Sequence, residues 1–237
     1  MPKAGSVELL HEWGGNLLIG ALSTIQISLW AYALGLCLGL MGAMGKLNGG
    51  RALRGVLDGY TTLVRSVPEL VLIVILYYAG TDTLNRVLVQ FGFDAVRISG
   101  FMAAVFVLGF VQGAYSTEVL RGAILAIPIG QIEAARAFGM SPALRFRRII
   151  LPAMLPYAIP GLSNLWLNVT KDSALVAVVG YSELALATRQ AAGGTKAYFL
   201  FYIVAAGIYL TISVVSLFLF GRLERHYRRG QHRTRER

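Results

Sequence analysis

Five apolar stretches decide what this chain can fold into: residues 17–44, 56–79, 98–125, 150–179 and 198–220. Each matches or exceeds the roughly 20 residues that a helix needs to cross a bilayer. Inside hydrocarbon every backbone N–H and C=O must be paired within the protein, so such stretches span as α-helices. The expectation is an all-α membrane protein with five transmembrane helices. It forms one domain over residues 1–237, with no soluble module. Only 14% of the residues are charged, against about 25% in soluble domains. The opening segment, Met1 to Asn16, lacks the cationic start and small-residue cleavage site of a secretory signal, so the first stretch is expected to be retained as a span.

The formal charge of +10 sits beside the apolar stretches, which argues against a nucleic-acid surface. Lys46, Arg51 and Arg54 follow the first stretch, and Arg136, Arg145, Arg147 and Arg148 follow the third. Arg222, Arg225, Arg228, Arg229, Arg233, Arg235 and Arg237 crowd the region after the fifth. Basic clusters of this kind mark cytoplasmic loops. The N-terminus is therefore expected outside and the C-terminus inside. The other loops carry Asp82, Arg86, Asp94 and Arg97, and then Glu183, Arg189 and Lys196. The lone Cys37 and the scattered His11, His226 and His232 offer no metal-ligand spacing. No glycine-rich phosphate loop is present, so the chain is not expected to bind ATP in that way or to be an enzyme.

Small residues recur within the first stretch, and Gly35 and Gly39 have the GxxxG spacing that lets spanning helices approach closely. Pro152, Pro156 and Pro160 share one face of the fourth stretch. Each removes a backbone donor, so tilt or a break is expected there. Tyr77, Tyr78, Tyr181, Tyr198 and Tyr202 read most simply as an interfacial aromatic belt.

Residues 126–149, between the third and fourth stretches, hold more structure than a connection requires. Glu133-Ala134-Ala135 opens a short helix with its acid expected in the first turn. Gly139 suits a C′ position, and Ser141-Pro142 suits an N-cap followed by proline at N1. Local physics leaves two readings open: a segment docking a partner, or an amphipathic helix lying on lipid.

The spacing from Glu133-Ala134-Ala135 through Gly139 to Ile149, Leu151 and Pro152 resembles the EAA loop of ABC importer permeases, with every fixed position met. Residues 59–70, 113–122 and 171–176 are similar to the polar amino-acid branch of that family, above all to its Q-type histidine and lysine/arginine/ornithine permeases. The resemblance implies the type I importer permease fold, with a coupling helix seated in a cytoplasmic ATPase dimer. Glu133, Ala134, Ala135 and Gly139 would make that contact, with small side chains allowing deep seating. Ile149, Leu151 and Pro152 would mark the return to the membrane. It further implies ATP and magnesium bound by the ATPase and no cofactor bound by this chain. The implied partners are a second related permease as heterodimer, a periplasmic binding protein and an amino-acid substrate, in a bacterial inner membrane. Basic amino acids are the expected substrates, with opines or other polar amino acids as the alternative.

Ionisable residues within spans are functional candidates by default. Arg65 and Glu69 flank Pro68 in the second stretch, Glu118 and Arg121 lie in the third, and Lys171 and Asp172 in the fourth. An Arg65–Glu118 pair tying two spans together is the structural expectation. Glu69 and Asp172, nearer the bilayer middle, are the candidates for meeting a cationic substrate. An ion-gradient-driven transporter could use the same charges, but the paired repeats typical of that class are not apparent. An assembly subunit without a pathway would need neither buried acid.

Overall fold

The computed structural model describes residues 6–94 and 99–228, and all regular structure among them is helical. Arg97, Ile98, Arg229, His232, Arg233, Arg235 and Arg237 lie outside the described residues. In chain order the helices are α1 (Ser6–Asn48), α2 (Arg51–Ser66), α3 (Glu69–Gln90), α4 (Gly100–Leu125), α5 (Ile129–Ala137), α6 (Pro142–Arg145), α7 (Leu151–Asp172), α8 (Leu184–Thr195) and α9 (Tyr198–Arg228). Five segments are long and apolar enough to cross a membrane: α1, α3, α4, the run Pro142–Val179, and α9.

The centre is the crossing of α1 on α4. Without water to drive association, spanning helices hold together by close van der Waals fit. Gly35, Gly39 and Gly42 of α1 lie directly on Gln112, Ser116 and Thr117 of α4, and an added methyl at any of them would overlap its neighbour. The relation is reciprocal, because Gly109 and Gly113 of α4 receive Leu34 and Leu38 of α1. The GxxxG spacing is thus a packing face. Next to it α7 docks on α4, with Val119 against Gly161 and Gln112 Nε2 donating to the Leu165 carbonyl at 2.6 Å. The Tyr32 hydroxyl donates to the Leu162 carbonyl at 3.0 Å, and its ring meets Trp166 edge-on. Trp166 Nε1 in turn donates to Ser216 Oγ of α9 at 2.8 Å.

The second apolar stretch does not run straight across. Its expected span, 56–79, is split at Val67-Pro68 into the amphipathic α2 and the apolar α3. Pro68 has no N–H to give and forces Val67 to extended geometry (φ −99°, ψ 138°), so α2 stops and Pro68 caps a new helix. The spanning helix of this region is therefore α3, and it continues to Gln90. Asp82 and Arg86, expected in a loop, sit within it as an i,i+4 ion pair at 2.8 Å.

The three prolines have a different outcome from the expected break. Pro152 stands in the first turn of α7, and Pro156 and Pro160 lie inside an unbroken helix. The irregularity is displaced to both ends of α7. Before it, residues Phe146–Ile150 form a π turn in which the Leu151 N–H reaches the Phe146 carbonyl. The wider turn absorbs the register change that Pro152 imposes. After it, Ser173–Val179 tightens to a 3₁₀ helix that ends at Gly180 with φ +85°.

Replacing Gly39 by leucine should destabilise the protein by about 1–3 kcal/mol through overpacking. Gly14→Leu, at a position with no neighbour within 4 Å, should change stability by less than about 0.5 kcal/mol. Unfolding midpoints of the two variants in one detergent check this contrast.

Candidate functional site

Glu69 is the first residue of α3, placed there by the Pro68 break, and Asp172 is the last of α7. The two carboxyl groups are electrostatic neighbours, and the Tyr115 hydroxyl of α4 adjoins Glu69. Arg65 stands with its guanidinium 6.0 Å from the centre of the Tyr115 ring, and Lys171 flanks Asp172. Four helices, α2, α3, α4 and α7, thus bring two acids, a phenol and two cations to one region. Both acids are half-buried, while Arg65 and Lys171 are exposed. Two neighbouring carboxylates repel each other, and a cation lodged between them removes that repulsion. The arrangement suits a cationic group of modest size.

Glu118 is held elsewhere, and the expected Arg65–Glu118 pair does not form. Lys46 Nζ donates to Glu118 Oε1 at 2.6 Å and to Thr61 Oγ1 at 2.6 Å, and lies 2.7 Å from Asp58 Oδ1. The other Glu118 oxygen, Oε2, accepts from Arg121 Nε and Nη2 at 3.1 and 2.8 Å. Lys46 is only 7% exposed. Hydropathy places it in a loop, but α1 continues to Asn48 and carries it inward between α2 and α4. A buried lysine partnered by two acids satisfies Glu118 more fully than Arg65 could from the far end of α2.

Glu183, also expected in a loop, is 0% exposed. It caps α8, accepting from the Ala185 and Leu186 amides at 2.8 and 2.9 Å, and from Thr24 Oγ1 and the Tyr209 hydroxyl at 3.2 and 3.1 Å. A carboxylate at a helix N-terminus with four donors is stable in a buried setting without a paired cation. Its signal in the sequence is position: an acid immediately before an apolar helix.

The loop between α4 and α7 folds as its residues suggest. Gly139 has φ +71°, its N–H bonds the Arg136 carbonyl at 2.9 Å, and the Met140 N–H bonds the Ala135 carbonyl at 3.1 Å. These two bonds make a Schellman turn at the end of α5. Ser141 then caps α6, accepting from the Leu144 amide, with Pro142 at N1. Two expectations need correction. The helix starts at Ile129, so Glu133 stands in the second turn and not the first. Ala135 is 3% exposed and faces the rest of its own chain, so it is no contact for a partner. Glu133, Ala134 and Gly139 are exposed, and Phe138 is 84% exposed. The sequence pattern does not single out this exposed aromatic ring at the helix end. Ile149 and Leu151 are half-buried and Pro152 is exposed.

Among the described residues, five membrane-length helical segments with an exposed capped helix between two of them define a multi-pass membrane protein. The chain belongs to the family described as the binding-protein-dependent transport system inner membrane component, matched over residues 35–229. It is 40% identical over 226 residues to the histidine/lysine/arginine/ornithine transport system permease protein HisQ of Salmonella typhimurium, covering 95% of this chain and 99% of that one. It is 39% identical over 222 residues to the octopine transport system permease protein OccQ of Rhizobium radiobacter, covering 93% and 94%. The crystal structure of an amino acid ABC transporter with histidines superposes with a TM-score of 0.76 at 30% identity, covering 92% of this chain and 96% of that one. The expected family and fold class are borne out.

Glu183→Ala removes the α8 cap and takes the acceptor from the Thr24 and Tyr209 hydroxyls. It should lower stability by about 1–3 kcal/mol, read as a shifted unfolding midpoint. Glu183→Gln, which keeps acceptor capacity, should lose less.

Proposed function

We propose that this chain is the membrane permease subunit of an ATP-driven importer for amino acids with a cationic side chain: histidine, arginine, lysine and ornithine. The observation that carries the substrate class is the convergence of Glu69 and Asp172 beside Tyr115, a paired-acid site suited to a cation. The name of the HisQ relative supports the same class. In this reading Arg65 and Lys171 lie at the margins of the site and limit the negative charge it carries when empty. The OccQ relative, at nearly equal identity, favours an opine as the second reading.

ATP hydrolysis belongs to a partner ATPase dimer, which binds ATP and magnesium. Its docking element on this chain is α5, with Glu133, Ala134, Gly139 and the exposed Phe138 at the contact. Closure of the ATPases moves α5, and α7 passes that motion to Asp172. A second, related permease completes a heterodimer, and a periplasmic binding protein delivers the amino acid. The N-terminus lies on the periplasmic side and the C-terminus in the cytoplasm, as the distribution of arginine and lysine supports.

The test is uptake into liposomes carrying the complete complex, with binding protein outside and ATP inside. Arginine or histidine should accumulate only with ATP, and accumulation that survives ATP depletion overturns the importer reading. Glu69→Gln and Asp172→Asn should each cut uptake by at least about tenfold, the scale on which loss of a buried charge contact is felt. Unchanged uptake in both would remove the paired-acid site from the pathway. Competition by octopine stronger than by arginine would transfer the assignment to opines. Gly139→Asp places a charge at the α5 turn. It should leave membrane insertion intact while ATP hydrolysis continues without uptake.

A further inference from the structure

We infer that Lys46 is a positioning residue for the Glu69–Asp172 pair, acting through α2. The inference rests on the reading of that pair as belonging to the substrate pathway. The connection runs through a short chain of contacts. Lys46, near the end of α1, grips Asp58 and Thr61 in the second and third turns of α2. Beyond Thr61 the helix continues only to Ser66, and the extended Val67 and rigid Pro68 lead directly to Glu69. Whatever fixes the direction of α2 therefore fixes where α3 begins, and Glu69 is its first residue.

The other ties of α2 are made by its own side chains. Of the sixteen residues of α2, only Thr61 and Val64 are buried. Leu57 of its first half rests against α1 at Gly45, beside an apolar cleft of about 500 Å³ lined by Met41, Gly45, Leu53, Val56, Leu57 and Tyr60 among others. Its ties to α4 include the Tyr60 hydroxyl on the Phe110 carbonyl, the packing of Val64 with Val111 and Ala114, and the Arg65–Tyr115 contact. Arg65 and Tyr60 are attached to α2 itself and can follow it if it swings. Lys46 cannot, because its position is set by the α1–α4 crossing and its ammonium is locked to Glu118 of α4. Arg121 holds the second oxygen of Glu118, so the acid cannot rotate away. The four charged groups balance, two cations against two anions. Lys46 is the common member of the Asp58, Thr61 and Glu118 contacts, so its loss undoes the cluster while a single partner's loss only weakens it.

A geometric experiment tests this separately from transport. In the assembled complex with Cys37→Ser, cysteines replace Glu69 and Asp172, and the rate of bridging by a short bis-thiol reagent is measured. Adding Lys46→Met should slow bridging by at least about tenfold, since an unpaired buried partner is strongly disfavoured. Lys46→Arg should restore most of the rate. Asp58→Asn, at a half-exposed acid that insertion does not depend on, should slow it severalfold and serves if Lys46→Met does not insert. Bridging unchanged in Lys46→Met, or in Asp58→Asn where that variant carries the test, overturns the positioning role. The bridge reports distance alone. A positioning role can therefore stand even where Glu69→Gln leaves uptake unaffected, and that second result would instead refute the substrate reading.

Discussion

Everything in this protein leans on the crossing of α1 and α4. In lipid there is no hydrophobic gain from bringing two apolar helices together, so adhesion comes from how closely their backbones approach. Glycines on both partners allow that approach, each accepting a larger side chain from the other helix. The close fit also decides what the interior can hold. Gln112, Ser116 and Thr117 are buried in the seam. Gln112 reaches the adjoining α7 through its bond to the Leu165 carbonyl, and Thr117 turns its hydroxyl back to the Gly113 carbonyl of α4. Helices α7, α8 and α9 are then added around a fixed pair, while α2 and α3 remain lightly attached on one side.

That unequal packing separates a rigid region from an adjustable one. α3 buries only Leu72 and Ile73, whereas α4 is buried along most of its length. The proposed substrate site lies on the boundary between them. Tyr115 and Asp172 belong to the firmly packed helices, and Glu69 to the loosely packed one. Elements that move during function are drawn from the weakly held regions of a protein, and here one of the two acids rides on such an element.

Four of the spans are legible in the sequence from their apolar length, while the second is displaced to Glu69–Gln90 by the break at Pro68. The α5 turn is legible because Gly139, Ser141 and Pro142 each have a local backbone preference. Glu69 and Asp172 stand out by being charged within apolar stretches. Their meeting does not, since it depends on the direction taken by the chain after Pro68. The same holds for Lys46 and Glu183. Hydropathy assigns both to loops, because charge near the end of an apolar stretch normally means solvent. Both are buried because their helices or caps extend further than hydropathy indicates. The inward face of Ala135 and the outward ring of Phe138 are hidden for a related reason. A nine-residue helix with alanine on several sides has too little amphipathic contrast to show which face turns in.

The run from Pro142 to Asp172 has a mechanical consequence. It is helical throughout, with the π turn as its one change of register, and at 1.5 Å per residue it forms a shaft about 46 Å long. It follows α5 directly, after the turn closed by the Gly139 and Met140 amides, and its far end bears an acid. A shaft of that length swinging by about 10° carries its tip about 8 Å, more than enough to separate a pair of neighbouring carboxyl groups. In the proposed importer the turn at Gly139 would serve as a fulcrum, with a lever long enough to turn a small rocking motion of α5 into a large displacement at Asp172.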